Sequence, residues 1–191
     1  LIIKEALKRL RATIPTTIEI RQDISQDCGM VLADPSQIHQ IIMNLCTNAF
    51  QAMDDTGGII GIQVRHAEVG PDKISTIMDL PPGHYIQLEV SDTGCGMDQE
   101  TINKIFEPYF TTKERGRGTG LGLSVVHGII KSYNGSITVY SEPGEGTTFH
   151  VYLPRNEATG SIKESIHKKT KRMPTGTERI LLVDDENAIA Q

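Results

Sequence analysis

The 191-residue sequence has no tryptophan, no long apolar run, no CxxC pair and no excess of positive charge. Each absence excludes something. No segment approaches the ~20 apolar residues that span a bilayer, so direct membrane contact by this part of the chain is not expected. No signal peptide opens the chain. The cysteines, Cys28, Cys46 and Cys95, are odd in number and unpaired in spacing, which fits free, inert thiols in a reducing cytosol. A formal net charge of −5 argues against a dedicated nucleic-acid binder, which would carry a basic balance. The remaining composition is that of a soluble globular protein, long enough for one good core and a fragment of a second domain. The chain opens at Leu1 rather than Met, so we expect a piece excised from a longer protein.

Hydrophobic periodicity gives a coarse map. Ile3, Ala6, Leu7 and Leu10 recur at helical spacing, and Pro15 closes that helix. Residues 17–24 alternate as a half-buried strand, with Ile18, Ile20 and Ile24 on one side. Asp34-Pro35-Ser36-Gln37 announces a helix with an aspartate cap, proline in the first turn and glutamine completing a capping box. It should run to about Met53. Residues 59–64 and 85–90 read as strands, separated by a proline-containing surface excursion. A helix over 123–133 ends at Asn134-Gly135. Strands 137–140 and 147–153 are joined by Glu142-Pro143-Gly144-Glu145-Gly146 as a hairpin. Residues 155–177, with Lys168, Lys169, Lys171 and Arg172 and hardly any large apolar side chain, read as a solvated linker. After it, Arg179-Ile180-Leu181-Leu182-Val183-Asp184-Asp185-Glu186 is an apolar strand ending in carboxylates.

Four segments carry chemistry. On the helix that begins at Asp34, Ile38, Ile41, Ile42, Leu45, Ala49 and Ala52 share the core arc, and Gln37, Asn44, Asn48 and Gln51 line its edge. Asn44 and Asn48, at i and i+4, project side by side. A neutral amide oxygen can join a magnesium shell beside a triphosphate without adding repulsion; taken alone, without the segments downstream, the pair reads rather as a packed edge where both amides bond backbone. Asp92-Thr93-Gly94-Cys95-Gly96-Met97 follows a strand. Its carboxylate only accepts hydrogen bonds, so it suits the exocyclic amine of adenine, and Gly94 and Gly96 allow close backbone approach. Alone such a motif is more often a tight turn or a calcium-like loop; its place after a strand and before Met97-Asp98-Gln99-Glu100 favours the adenine site. Gly118-Thr119-Gly120-Leu121-Gly122-Leu123 sets bare amides before a helix N-terminus, an anion site by electrostatics. It has neither P-loop nor Rossmann spacing. Between the aromatic run Phe106-Glu107-Pro108-Tyr109-Phe110 and these glycines, residues 111–117 are polar and glycine-bounded, a candidate lid. There Lys113 or Arg117 either neutralises phosphate or is simply solvated. The aromatics read as hydrophobic anchors of that lid.

These segments, in this order and with these gaps, resemble the N, G1, F and G2 boxes of the ATP-binding catalytic domain of sensor histidine kinases, from about Thr16 to Pro154. That family shares a superfamily with gyrase B, MutL and the heat-shock chaperone ATPases. The resemblance implies an α/β (α+β) two-layer sandwich of the Bergerat type, with a mixed, mainly antiparallel sheet and three main helices on one face. It implies ATP and Mg2+ as ligands, with Asn48 on the metal and Asn44 and Lys113 acting at the phosphates. Asp92, Gly94 and Gly96 would hold adenine, with Thr147 supporting Asp92. Gly118, Thr119, Gly120, Leu121, Gly122 and Leu123 would cradle the phosphates. In the gyrase and chaperone branches the position matching Asn44 is a glutamate that activates water. An amide cannot act as a general base, so phosphate transfer to another acceptor is expected rather than hydrolysis.

Residues 178–191 look like the first strand of a response-regulator receiver, truncated almost at once. The implied organisation is therefore 1–15, the end of a connection from a missing dimerisation domain; 16–154, the catalytic domain; 155–177, a linker; and 178–191, the start of a receiver in a hybrid kinase. The segment after Phe110 looks most like the nitrogen-regulation type. Such a kinase passes the γ-phosphate to a histidine on its dimerisation domain and then to a receiver aspartate. The domain would be cytoplasmic and the full-length protein a homodimer. None of His39, His66, His84, His127, His150 and His167 lies in a phosphoacceptor box. A nucleotide-gated interaction module without phosphotransfer and an anti-sigma-type serine kinase are the rival readings.

Overall fold

The alternation at Ile18, Ile20 and Ile24 forms β1 (Ile18–Ile24), an edge strand of a five-stranded sheet. The other strands are β2 (Gly58–Val69), β3 (Gly83–Asp92), β4 (Ser136–Glu142) and β5 (Gly146–Pro154). Their spatial order is β1-β2-β3-β5-β4, with β1 and β2 parallel and every other neighbouring pair antiparallel. A parallel pair needs a crossover, and α2 (Pro35–Met53) supplies it. The helices besides α2 are α1 (Ile2–Thr13), α3 (Gln99–Lys104) and α4 (Gly122–Ser132). The computed structural model describes residues 2–53, 57–70, 80–113 and 118–156. All of them lie in the first of two units into which the chain divides, Leu1–Thr159.

One face of the sheet is apolar because the strand period of two places Ile60, Ile62 and Val64, then Ile86, Leu88 and Val90, then Phe149, Val151 and Leu153 on the same side. α2 and α4 cover that face, and α1 packs against α2 to extend the same core. Ile42 and Leu45 on α2 are fully buried at its centre, and truncating either to alanine should cost ~2–5 kcal/mol. The opposite face is more polar and open, with His150 and Glu89 paired across β5 and β3 at 3.3 Å. Both layers of the expected sandwich are present. β2 and β3 run further than their apolar cores suggest, and Val69, Leu80, Tyr85 and Tyr152 form a separate small cluster where they extend.

Several local expectations change. Cys46 and Met53 join the buried side of α2, whereas Ile38 is only partly buried there and Ala52 is intermediate. The capping box does not close on itself. Asp34 Oδ1 accepts from Ser36 N at 2.7 Å, but the Gln37 side chain never returns to the Asp34 amide. Instead Asp34 N donates to the Tyr133 hydroxyl at 2.9 Å, and that hydroxyl donates to Gln37 Oε1. Tyr133, the C-cap of α4, thus ties the start of α2 to the end of α4. Asn134 takes a left-handed φ of 54°, and Gly135 N reaches Ile130 O at 2.9 Å, as the helix stop requires. α3 was not expected; Asp98 caps it by accepting from Thr101 N at 2.8 Å. No helix among the described residues is long and apolar enough to cross a membrane. Of the expected linker over 155–177 only residues 155 and 156 are described; the rest of it, with its basic cluster and His167, and the strand expected within 178–191 lie outside the described residues.

Candidate nucleotide-binding site

Helix α2 and the sheet diverge at the C-terminal end of β3, and a cavity of about 560 Å3 opens there. Its size is that of a small-molecule site. Asn44 and Asn48 line it from α2, one turn apart, together with Thr47, Gln51 and Ala52. Asp92 and Thr147, paired across β3 and β5, line it from the sheet. Gly96 and Met97 enter after β3, Thr101 and Ile105 from α3 and the turn after it, and Lys113 from the segment after Phe110. Gly118, Thr119, Gly120, Gly122 and Leu123 enter at the start of α4. The four segments are therefore neighbours in space.

Asp92 is 9% exposed. Its carboxylate accepts from Gly94 N at 2.8 Å and from the backbone amide of Thr147. Burial pushes its pKa above the usual carboxylate range, and the two amide bonds oppose that shift. The glycines of this loop answer to close packing. A Cβ on Gly96, which has φ +65°, would lie 1.9 Å from Glu142 O. A Cβ on Gly94 would lie 2.7 Å from the carbonyl of Ala52. Cys95 N donates to Ala52 O at 2.9 Å, and Cys95 O accepts from Gly144 N at 2.8 Å. The loop is thus hung between the end of α2 and the β4–β5 turn.

At the other side of the cavity no side chain caps α4. The first amides of the helix, from Gly122 onward, have no intrahelical acceptor and carry the positive end of the dipole. A Cβ on Gly122 would approach Asn44 Oδ1 to 3.4 Å, so bare backbone and the α2 amide lie against one another. Lys113 Nζ donates to Gln51 Oε1. Burial lowers the Lys113 pKa. Asp92 is the one carboxylate in the lining among the described residues. No group of three or more His, Cys, Asp or Glu side chains that could hold a metal occurs among them either.

Two expected contact residues do not line the cavity. Gly94 buttresses Ala52 from behind, and Leu121 sits at the α4 N-cap, 38% exposed. Gln37, expected on the same amide edge as Asn44, is engaged by Tyr133 instead. Phe106 and Phe110 pack on the core as anchors, but Tyr109 is 76% exposed. Tyr109 contributes backbone: at φ 68° its N–H bonds Gly120 O at 2.9 Å, and a Cβ on Gly120 would collide with its carbonyl carbon at 2.4 Å. Residues 114–117, including Arg117, lie outside the described residues. Cys46 is fully buried, which pushes its thiol up to about 12, whereas Cys95 is exposed in the cavity lining. Sequence reasoning missed Met97, Thr101, Ile105 and Phe149 as lining residues. Asp98 followed by Thr101 was the available signal, since an N-cap there turns Thr101 and Ile105 onto successive turns.

This arrangement is that of a nucleotide-binding ATPase fold. The chain belongs to the histidine kinase-, DNA gyrase B- and HSP90-like ATPase family, whose model matches residues 33–157. It is 42% identical over 179 residues to the sensor kinase CckA of Brucella abortus (strain 2308), covering 90% of this chain and 19% of that one. Sporulation kinase E of Bacillus subtilis (strain 168) is 34% identical over 139 residues, or 73% of this chain and 16% of that one. The chain thus spans less than a fifth of these curated relatives. The solved catalytic domain of the histidine kinase ThkA superposes with a TM-score of 0.63 at 27% identity, covering 81% of this chain and 90% of that one. Within the family, the chain carries an ATP-binding catalytic domain of the sensor histidine kinase type.

Proposed function

We propose that this domain donates the γ-phosphate of ATP to a histidine on a separate dimerisation domain, for relay to a receiver aspartate. One observation carries the reading. The cavity is lined from α2 by amides, with Asn44 at the position that the resemblance gives to a glutamate in the gyrase and chaperone branches, and its sole described carboxylate, Asp92, is engaged by the amides of Gly94 and Thr147. Nothing in the described lining besides Asp92 can take a proton from water as a carboxylate base, so the γ-phosphate is kept for another acceptor.

Each residue has a task in this reading. Asp92 accepts from the exocyclic amine of adenine. The free amides at the start of α4, with Gly118, Thr119 and Gly120, receive the phosphates. Lys113 leaves Gln51 to bind phosphate with a charge-assisted bond. The donor set suits magnesium, which keeps waters and takes few protein oxygens beside a polyphosphate. Asn48 would hold it through its amide oxygen, with Asn44 beside it. When bound, the cation neutralises charge on the phosphates; the chain's part is to orient them and keep carboxylates away.

The wider assembly follows the same reading. The full protein is a homodimer whose catalytic domain lies in the cytoplasm, with residues 1–15 leading from the dimerisation domain. Residues 155–177 form a linker, and 178–191 begin a receiver. The match to CckA supports an extent beyond the ATPase domain, since 179 matched residues exceed the span 33–157. The test is labelled ATP with a purified histidine-bearing dimerisation domain. Acid-labile label on that domain supports transfer to histidine. Acid-stable label on serine would favour a serine kinase, and bound ATP without transfer would leave a nucleotide-gated module.

A further inference from the structure

Ser141 lies on β4 outside the cavity lining, 8% exposed, and its hydroxyl meets three partners. Met97 N donates to Ser141 Oγ at 2.8 Å. Ser141 Oγ donates to Gly146 O at 2.9 Å. Thr147 Oγ1 also lies 2.9 Å from Ser141 Oγ. A serine hydroxyl has one proton and two lone pairs. The carbonyl of Gly146 cannot donate, so it takes the serine proton. The Thr147 hydroxyl must then donate its own proton to Ser141.

Thr147 is consequently left with lone pairs, and no proton, for the cavity that it lines. Beside it stands the Asp92 carboxylate, which also only accepts when ionised. We propose that Ser141 is a specificity-determining positioning residue: it fixes the Thr147 hydroxyl as an acceptor, so that this end of the cavity presents two acceptors to the nucleobase. An amino group satisfies both, and a carbonyl at the same place is repelled by both. The same serine holds the amide of Met97, so it also sets the loop that follows Asp92. This inference rests on the adenine reading above and extends it from Asp92 to the residue behind Thr147.

Ser141→Ala releases the Thr147 rotor, which can then turn and donate to a base carbonyl. Titration of the chain with ATP and with inosine triphosphate, whose C6 group is a carbonyl, reads the effect. The ratio of ATP to inosine triphosphate affinity should fall on the order of tenfold in Ser141→Ala. Ser141→Thr, which keeps the hydroxyl, should restore it. In a Thr147→Val background, Ser141→Ala should leave the ratio unchanged, because no rotor remains. A merely structural serine would weaken both nucleotides together, and an unchanged ratio in the folded Ser141→Ala protein would overturn the proposal. So would an equal fall in the Thr147→Val background. Should Ser141→Ala lose its thermal transition, Ser141→Cys keeps the shape of the side chain with a sulfur that accepts only weakly from Thr147, and it must move the ratio in the same direction. Failure of the unaltered chain to bind ATP would instead overturn the nucleotide reading itself.

Discussion

Lys113 Nζ donates to Gln51 Oε1, joining the segment after Phe110 to the last turns of α2 across 62 residues of sequence. Both side chains line the cavity, and burial lowers the lysine's pKa. An amide is a weak partner for an ammonium, so a triphosphate should displace it. Lys113→Met is therefore expected to weaken ATP binding about ten- to a hundredfold, the worth of a ~1.5–3 kcal/mol charge-assisted bond. Adenosine, which has no phosphate, should bind both proteins alike. Calorimetric titration with the two ligands checks this, and an equal loss for both would remove Lys113 from the phosphates.

Asp92→Asn should cost a similar factor in ATP affinity, because the amide can present an N–H to an amine that already donates. It should not cost stability. Burial raises the Asp92 pKa in the fold, so the folded chain holds a proton over a range where the unfolded chain has released it. Stability from this group falls as pH rises from the ordinary aspartate value to the raised one, and the charged form is a burden at neutral pH. Thermal melts at pH 7 should show Asp92→Asn at least as stable as the wild type. Nucleotide affinity should move the other way, weakening as pH falls through the raised pKa.

Asn48→Leu should keep α2 intact, since leucine is the better helix former. ATP binding measured with and without magnesium should show a strong metal dependence in the wild type and none in the variant. A variant that retains the wild-type magnesium response would place the metal elsewhere.

Gly96→Ala should be the most damaging of the small changes. It forces a Cβ to within 1.9 Å of Glu142 O at a φ of +65°. Left-handed strain and the backbone clash together should destabilise the fold by ~2 kcal/mol or more. Denaturant unfolding measures it. Gly144→Ala, whose added Cβ meets no atom within 4 Å beyond its own chain neighbours, should cost only the φ strain of +83°.

Much of this was legible in the sequence because period and punctuation agree with packing. Ile18, Ile20 and Ile24 gave a strand, Asp34-Pro35 gave a helix start, and the glycine runs marked the loops that meet at the cavity. The losses came where a distant residue decides. Gln37 looked like a reciprocal cap until the Tyr133 hydroxyl, 96 residues away, took its place. Tyr109 looked like an apolar anchor, but its left-handed backbone bond to Gly120 turns the ring outward. Ala52 sat on the core arc of a helical wheel, yet the Gly94 loop packs against its carbonyl. α3 is too short for periodicity to reveal, and only its Asp98 cap signals it. Local spacing has no access to contacts between elements remote in sequence.

The central claim is that the γ-phosphate is held for a histidine acceptor and kept from water. The most direct measurement is the fate of labelled γ-phosphate from ATP, counted as acid-labile phosphohistidine and as free phosphate. It is made with the chain alone and with a purified dimerisation domain added. The account predicts label on the histidine when the acceptor is present, and free phosphate at the protein-free background when it is absent. Rapid release of phosphate by the chain alone, with no label on a folded acceptor, would contradict it.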